Sequence, residues 1–234
     1  MVPKPPSQLT LDLTILPRFE TENFLISASN DVAYALVETW PKQPGQSLML
    51  VGPSGSGKSH LGAIWAKRSQ ALVVQAKHLG SADLQALANR SALLIEDLHA
   101  LGNDIAAETA LFHLINLSKP QKTTLLFTSR LPAAGLQLQI PDLSSRLREA
   151  TLAEIGLPDE ALIHDVIVKL FIDRQLVVDT GVVQYISLHV ERSLAAALTA
   201  VEALDAKALA LGKRISRQMV ADVLDVHAQH DETT

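Results

Sequence analysis

The sequence predicts an α/β protein: a five-stranded parallel sheet carrying a phosphate-binding loop, followed by a small all-α domain. Three observations predict it. Residues 52–59 read Gly52, Pro53, Ser54, Gly55, Ser56, Gly57, Lys58 and Ser59, a complete G-x-x-x-x-G-K-S loop. Apolar runs alternate with helix-spaced stretches as far as residue 155, which implies strands joined by crossover helices and a sheet covered on both faces. Beyond Gly156 the spacing is helical throughout.

The loop carries the chemistry. Its glycines let successive backbone N–H groups point at one anion, Lys58 neutralises the terminal phosphates, and the hydroxyl of Ser59 can ligate magnesium. The apolar run 47–51 before it reads as a buried strand and 60–67 after it has helical spacing, so a bound phosphate meets a helix N-terminus. The chain is therefore read as nucleotide-binding, with Mg2+ as the accompanying ion.

In chain order, residues 1–7 are polar and proline-rich and are expected to be disordered, and 8–13 alternate as QLTLDL. Strands are expected at 48–51, 72–75, 92–95, 124–128 and 150–155, with helices at 60–69, 83–88 and 106–117 between them. A glycine, a proline and two acids at 156–160 mark a break and a helix start. Helices are then expected at 161–174, 181–190, 194–211 and 217–227, the third with an apolar stripe of Leu194, Leu198, Val201, Leu204, Ala208 and Leu211. The resulting division is a tail at 1–19, a nucleotide-binding domain at 20–156, a helical lid at 157–228 and a frayed tail at 229–234.

Composition sets outer limits. The 234 residues include no cysteine, which excludes disulfides, thiol catalysis and cysteine-ligated metals. No apolar run spans a bilayer and no signal-like segment opens the chain, so a cytoplasmic location is expected. A formal net charge of -5 argues against a large sequence-independent grip on DNA.

The second chemical signal is Leu93-Leu94-Ile95-Glu96-Asp97, an apolar strand ending in two acids where a phosphate-loop protein holds magnesium and orients water. Glu96 takes the metal side and Asp97 the water side. The order is the reverse of the commoner Asp-Glu, and a shift of about 1 Å in either group can cost ~100-fold in rate, so weak intrinsic hydrolysis is expected. Thr128 and Ser129 close the fourth strand, where a hydroxyl can sit between the acids and the terminal phosphate. Arg146 precedes the last strand, in reach of a neighbour's nucleotide, and Arg192 starts the third lid helix, in reach of its own.

The runs GPSGSGKSHL, LLIEDLHAL, LLFTSRLP, DLSSRL and ERSLAAAL, in that order, resemble the AAA+ core of the bacterial replication initiator DnaA, over residues 20–227. Within that clade the chain resembles the Hda and HdaA regulators, which inactivate the initiator. The resemblance implies that 52–59 is Walker A, with His60 beside the bound nucleotide, ADP or ATP. It makes Glu96 and Asp97 Walker B, Thr128 and Ser129 sensor 1, Arg146 the arginine finger and Arg192 the sensor 2 arginine. Asn23, Phe24, Leu25 and Ile26 match the segment near the adenine.

Three features separate the chain from the initiator. It stops after the fourth lid helix, so no helix-turn-helix DNA-reading domain is expected. Residues 77–91 are too few for the two-helix insert that initiators use on single-stranded DNA. Gln8, Leu9, Leu11 and Leu13 resemble the peptide by which Hda docks on the replicative sliding clamp, the beta subunit of DNA polymerase III. The resemblance thus implies DnaA and the clamp as partners, DNA reached through the clamp, no membrane, and self-association left open. The alternatives are an autonomous P-loop ATPase or small kinase, and a helicase-loader-like AAA+ remodelling factor.

Overall fold

The computed structural model describes residues 24–102 and 104–231. Gln8, Leu9, Leu11, Leu13 and Asn23 lie outside them. The five expected strands are present as β1 (Ser47–Val51), β2 (Leu72–Gln75), β3 (Ala92–Glu96), β4 (Thr124–Ser129) and β5 (Thr151–Glu154). They form one parallel sheet in the order β2-β3-β4-β1-β5. This order puts β1 between β4 and β5, so the phosphate loop leaves the sheet beside the end of β4.

Alternation along the strands sorts the core into two layers. Met49, Val51, Leu93, Ile95, Leu125 and Phe127 face α3 (Leu84–Ala88), α4 (Ile105–Gln121) and α5 (Pro141–Arg148). Leu48, Leu50, Leu94 and Leu126 face α1 (Asp31–Glu38) and α2 (Lys58–Ser69), together with Trp40 and Trp65. The layers matter for function, because they put the helix that follows the phosphate loop and the helix that carries Arg146 on opposite faces of the sheet.

Two helices were not foreseen. Each buries a short apolar pair at i, i+4, Ala33 with Val37 in α1 and Leu143 with Leu147 in α5, too little periodicity to stand out in eight residues. Helix α4 also runs to Gln121 rather than stopping at 117, carrying Pro120 in its last turn. Between β2 and β3 the chain forms a 3-10 turn (Ala76–Ser81) and the short α3, whose N-cap Asp83 accepts from Ala86 N–H at 3.0 Å.

The lid comprises α6 (Glu160–Asp173), α7 (Thr180–His189), α8 (Leu194–Leu211) and α9 (Arg217–Asp231) around a core of its own, including Ile167, Phe171, Ile186, Val201 and Val220. Asp159 caps α6 by accepting from Leu162 N–H at 2.7 Å, which is why the acids after Pro158 open a helix. The stripe of α8 is rotated from the expected one. Val201, Leu204 and Ala208 are buried as expected, but Ala197 and Ala200 complete the face while Leu198 is half-buried and Leu211 is 53% exposed. Small alanines let the neighbouring helix approach closely, and a ranking by side-chain size overlooks them. Helix α9 continues through Asp231.

Candidate functional site

The phosphate loop starts where β1 ends, and its first residue is tied to β4 by the bond from Gly52 N–H to Ser129 O (3.2 Å). Gly55 and Gly57 hold φ of +67° and +99°, left-handed conformations that other residues adopt only under strain. A Cβ on Gly55 would fall on Ser193 Oγ, so the loop leaves no room there for a side chain. Helix α2 then opens at Lys58 with no side chain capping it, which leaves a helix N-terminus of the kind that binds anions.

Lys58 is only 7% exposed and donates from Nζ to Pro53 O at 2.6 Å. Burial lowers its pKa; Asp97 pulls it back up and Arg130 pushes it further down. Ser56 Oγ is buried in the same loop without a hydrogen-bond partner. An uncapped helix start, a buried lysine without a carboxylate ion pair and an orphaned hydroxyl together fit a bound phosphate chain.

The acids stand opposite. Glu96 ends β3, half-buried, and its carboxylate accepts from Ser59 and, at 2.8 Å, from Gln75 Nε2. Burial first, and Asp97 second, raise its pKa, while those two hydrogen bonds oppose the rise. Ser59 and Glu96 therefore meet as a magnesium pair would. Gln75 was missed by the sequence reading; its signal was available, because parallel pairing of β2 with β3 sets Gln75 directly beside Glu96.

Asp97 adopts a left-handed φ of 61°, and its N–H donates to Thr128 Oγ1 at 3.0 Å. Its carboxylate lies 3.8 Å from His99 Nδ1, a second residue not foreseen. Burial and Arg130 lower the pKa of His99, which keeps the ring neutral near pH 7. The Thr128 and Ser129 hydroxyls are used as acceptors by backbone: Thr128 holds the Asp97 turn, and Ser129 Oγ accepts from Leu131 N–H at 3.2 Å. Both residues are almost completely buried, so they brace the acid turn and the strand end.

Phe24 lies against Tyr34 (centroids 5.4 Å apart) and meets His60 edge-on at 5.3 Å, at the start of α2. It is also part of the core. Across the loop, Leu194 N–H donates to Gly55 O at 2.8 Å, and Ser193 caps α8 by accepting from Ala196 N–H. Arg192 is exposed in the bend before that cap, so it precedes the third lid helix instead of starting it, two residues from the loop contact.

Arg146 belongs elsewhere. It lies on α5 with 37% of its side chain exposed and pairs with Glu149 at 3.1 Å, which also binds Lys119 at 3.2 Å. The start of α5 is held by a residue that sequence reasoning passed over. Glu108, wholly buried on α4, accepts from Gln139 N–H (2.8 Å) and Ile140 N–H (3.1 Å) through Oε2.

No protein-family model matches the chain. Over 200 residues it is 24% identical to the chromosomal replication initiator protein DnaA of Cutibacterium acnes, covering 76% of this chain and 40% of that one. The structure superposes on domain III of the Thermotoga maritima initiator DnaA with a TM-score of 0.77 and 21% identity, covering 90% of this chain and 97% of that domain. The chain has the fold of the AAA+ domain of DnaA. AMPPCP-bound DnaA from Aquifex aeolicus matches with a TM-score of 0.71 at 19% identity, over 83% of this chain and 67% of that one. That fold includes both the sheet order and the helical bundle, while the chain spans well under half of the matched C. acnes initiator. Among the described residues no helix is long and apolar enough to cross a membrane.

Proposed function

We propose that this AAA+ protein seats an adenine nucleotide, ADP in its working state, and acts on DnaA as a negative regulator of replication initiation. Lys58 and the first turn of α2 hold the phosphates, Ser59 and Glu96 hold Mg2+, and Phe24 with His60 lies on the base side. A bound nucleotide supplies the negative charge that this buried cation lacks and fixes Arg192 and the lid against the loop. Gln8, Leu9, Leu11 and Leu13 dock on the DNA-loaded sliding clamp, which brings the protein to DnaA carrying ATP.

One observation carries this reading: Arg146 keeps 37% of its side chain in solvent on the layer opposite α2, and among the described residues it is held by a surface ion pair that costs little to break. A cation so placed suits a neighbour's site. In that site it stabilises the charge that develops on the transferred phosphoryl group, a contribution of ~1000-fold or more for arginine fingers. The resemblance of the DLSSRL run supports the Arg146 assignment, and the AMPPCP complex of DnaA supports the nucleotide seat.

The test is DnaA ATP hydrolysis with and without this protein and clamp-loaded DNA. Arg146→Ala is expected to lose the acceleration while keeping nucleotide and clamp binding. Retained acceleration would sink the assignment, and robust turnover by this protein alone would favour an autonomous ATPase.

A further inference from the structure

Residues 213–217 read Lys213, Arg214, Ile215, Ser216 and Arg217, three cations in five positions of a chain whose formal net charge is -5. They form the turn from α8 to α9. Gly212 ends α8, and Lys213 N–H donates back to Ala208 O at 3.2 Å. Ile215 is 8% exposed and packs into the lid core, which turns the residues on either side of it outward. Ser216 then caps α9, accepting from Met219 N–H at 3.3 Å.

Lys213 and Arg214 are exposed, and neither makes an ion pair or a side-chain hydrogen bond among the described residues. Arg217, also exposed, lies across the first turn of α7 and donates from Nε to Gly181 O at 3.3 Å. A Cβ on Gly181 would sit 2.6 Å from Nη2 of Arg217, so this approach needs glycine there. The starts of α7 and α9 are thereby brought together, and both present the positive end of a helix dipole. The nearby carboxylates are already engaged: Asp179 accepts from Gly181 N–H at 2.8 Å, and Asp222 binds Lys207 (3.2 Å) and Gln218 (3.0 Å). This end of the lid is thus a compact positive pole. It lies at the far end of the 18-residue α8 from the Leu194–Gly55 contact, about 27 Å away along the helix axis.

We propose that this pole binds the phosphate backbone of duplex DNA without reading its sequence. Charge complementarity selects a polyanion, and a duplex carries one negative charge per about 1.7 Å of its axis. Duplex DNA is the polyanion that a protein docked on a DNA-loaded clamp meets, so the choice of occupant rests on the docking proposed above. Three cations make a weak grip, which becomes effective when a tether raises the local concentration of DNA. The contact fixes the far end of the lid on the DNA beside the clamp, and so orients the face that carries Arg146.

The test uses the full chain and a fluorescent duplex of about 30 base pairs, followed by anisotropy between about 50 and 200 mM salt. The wild type should bind weakly, with a slope of log affinity against log salt of about -2 to -3. Lys213→Ala with Arg214→Ala should flatten that slope by about 1.8, and Lys213→Glu with Arg214→Glu should weaken binding by about tenfold or more at the lowest salt. Arg217 is left in place because it packs on α7. The same charge change on exposed residues of the α/β domain, Lys42→Glu with Lys67→Glu, should cost less than about threefold. Equal losses in the two charge-reversed proteins would overturn the pole, as would a wild type that does not bind at the lowest salt. Displacement of the duplex by polyglutamate at equal charge concentration would also overturn it, and would assign the surface to an acidic protein. DnaA acceleration and clamp binding, measured on the same preparations, separate the two proposals. Acceleration without DNA binding would remove the pole alone, whereas pole-dependent DNA binding without clamp docking would remove the function proposed above and leave the pole.

Discussion

Lys58 is 7% exposed and bonded at 2.6 Å to a carbonyl of its own loop, whereas Arg146 keeps 37% of its side chain in solvent and is held by one ion pair. The first cation is preorganised by its surroundings and has little freedom. The second is free to move, and what is fixed is the helix beneath it. A residue that binds its own ligand gains from burial, because desolvation strengthens its attraction to phosphate. A residue that enters another protein's site needs the opposite: an accessible side chain on a rigid base.

The sharpest way to break this comparison is Lys58→Met, which removes the buried charge and keeps the volume. Because Lys58 has no carboxylate ion pair, the ligand-free protein should be as stable as wild type or slightly more so. Nucleotide affinity should fall by ~100-fold or more, as expected when two charge-assisted contacts are lost. Thermal melts with and without nucleotide read both effects. A large loss of stability without ligand would mean that the loop lysine is structural, and the contrast with Arg146 would fail.

Glu108 tests the rigid base. Removing its carboxylate leaves the N–H groups of Gln139 and Ile140 without their partner beside the start of α5, a loss of about 2–3 kcal/mol. Glu108→Ala should lower stability by that amount in denaturant unfolding, and Glu108→Gln by less, since the amide oxygen can still accept. Acceleration of DnaA should drop with Glu108→Gln while nucleotide affinity holds. If both variants left stability and acceleration untouched, α5 would be positioned by Leu143 and Leu147 alone.

The two regions also differ in how legible they were. The loop, the strand before it and the Glu96-Asp97 pair were readable because sequence spacing alone places them, and the β1–β4 pairing then follows from the fold class. Gln75, His99 and Glu108 were not: Gln75 and Glu108 act through contacts 21 to 32 positions apart that the sheet order and helix layers create, and His99 meets Asp97 through the left-handed turn that ends β3. Helix α5 was hidden for another reason: only Leu143 and Leu147 mark its buried side. Arg146 could be picked out by resemblance before the helix that bears it could be seen.

The smallest expected effect is a pH dependence that separates an empty seat from a filled one. Burial and Asp97 raise the pKa of Glu96, so the folded, ligand-free protein holds that proton more tightly than the unfolded chain does. Its contribution to stability is therefore largest on the acid side and is lost as pH rises from the ordinary glutamate range through the raised value. For a half-buried group the whole span is on the order of 1 kcal/mol or less after solvent screening. The difference between wild type and Glu96→Gln in thermal midpoint, followed from about pH 4 to pH 7, isolates this group from the other carboxylates. Without ligand, Glu96→Gln should gain on the wild type as pH rises. With Mg2+ and nucleotide the trend should invert, because the metal needs Glu96 ionised and Gln supplies no charge. A difference of the same sign in both conditions would remove Glu96 from the metal site and leave Ser59 without its partner.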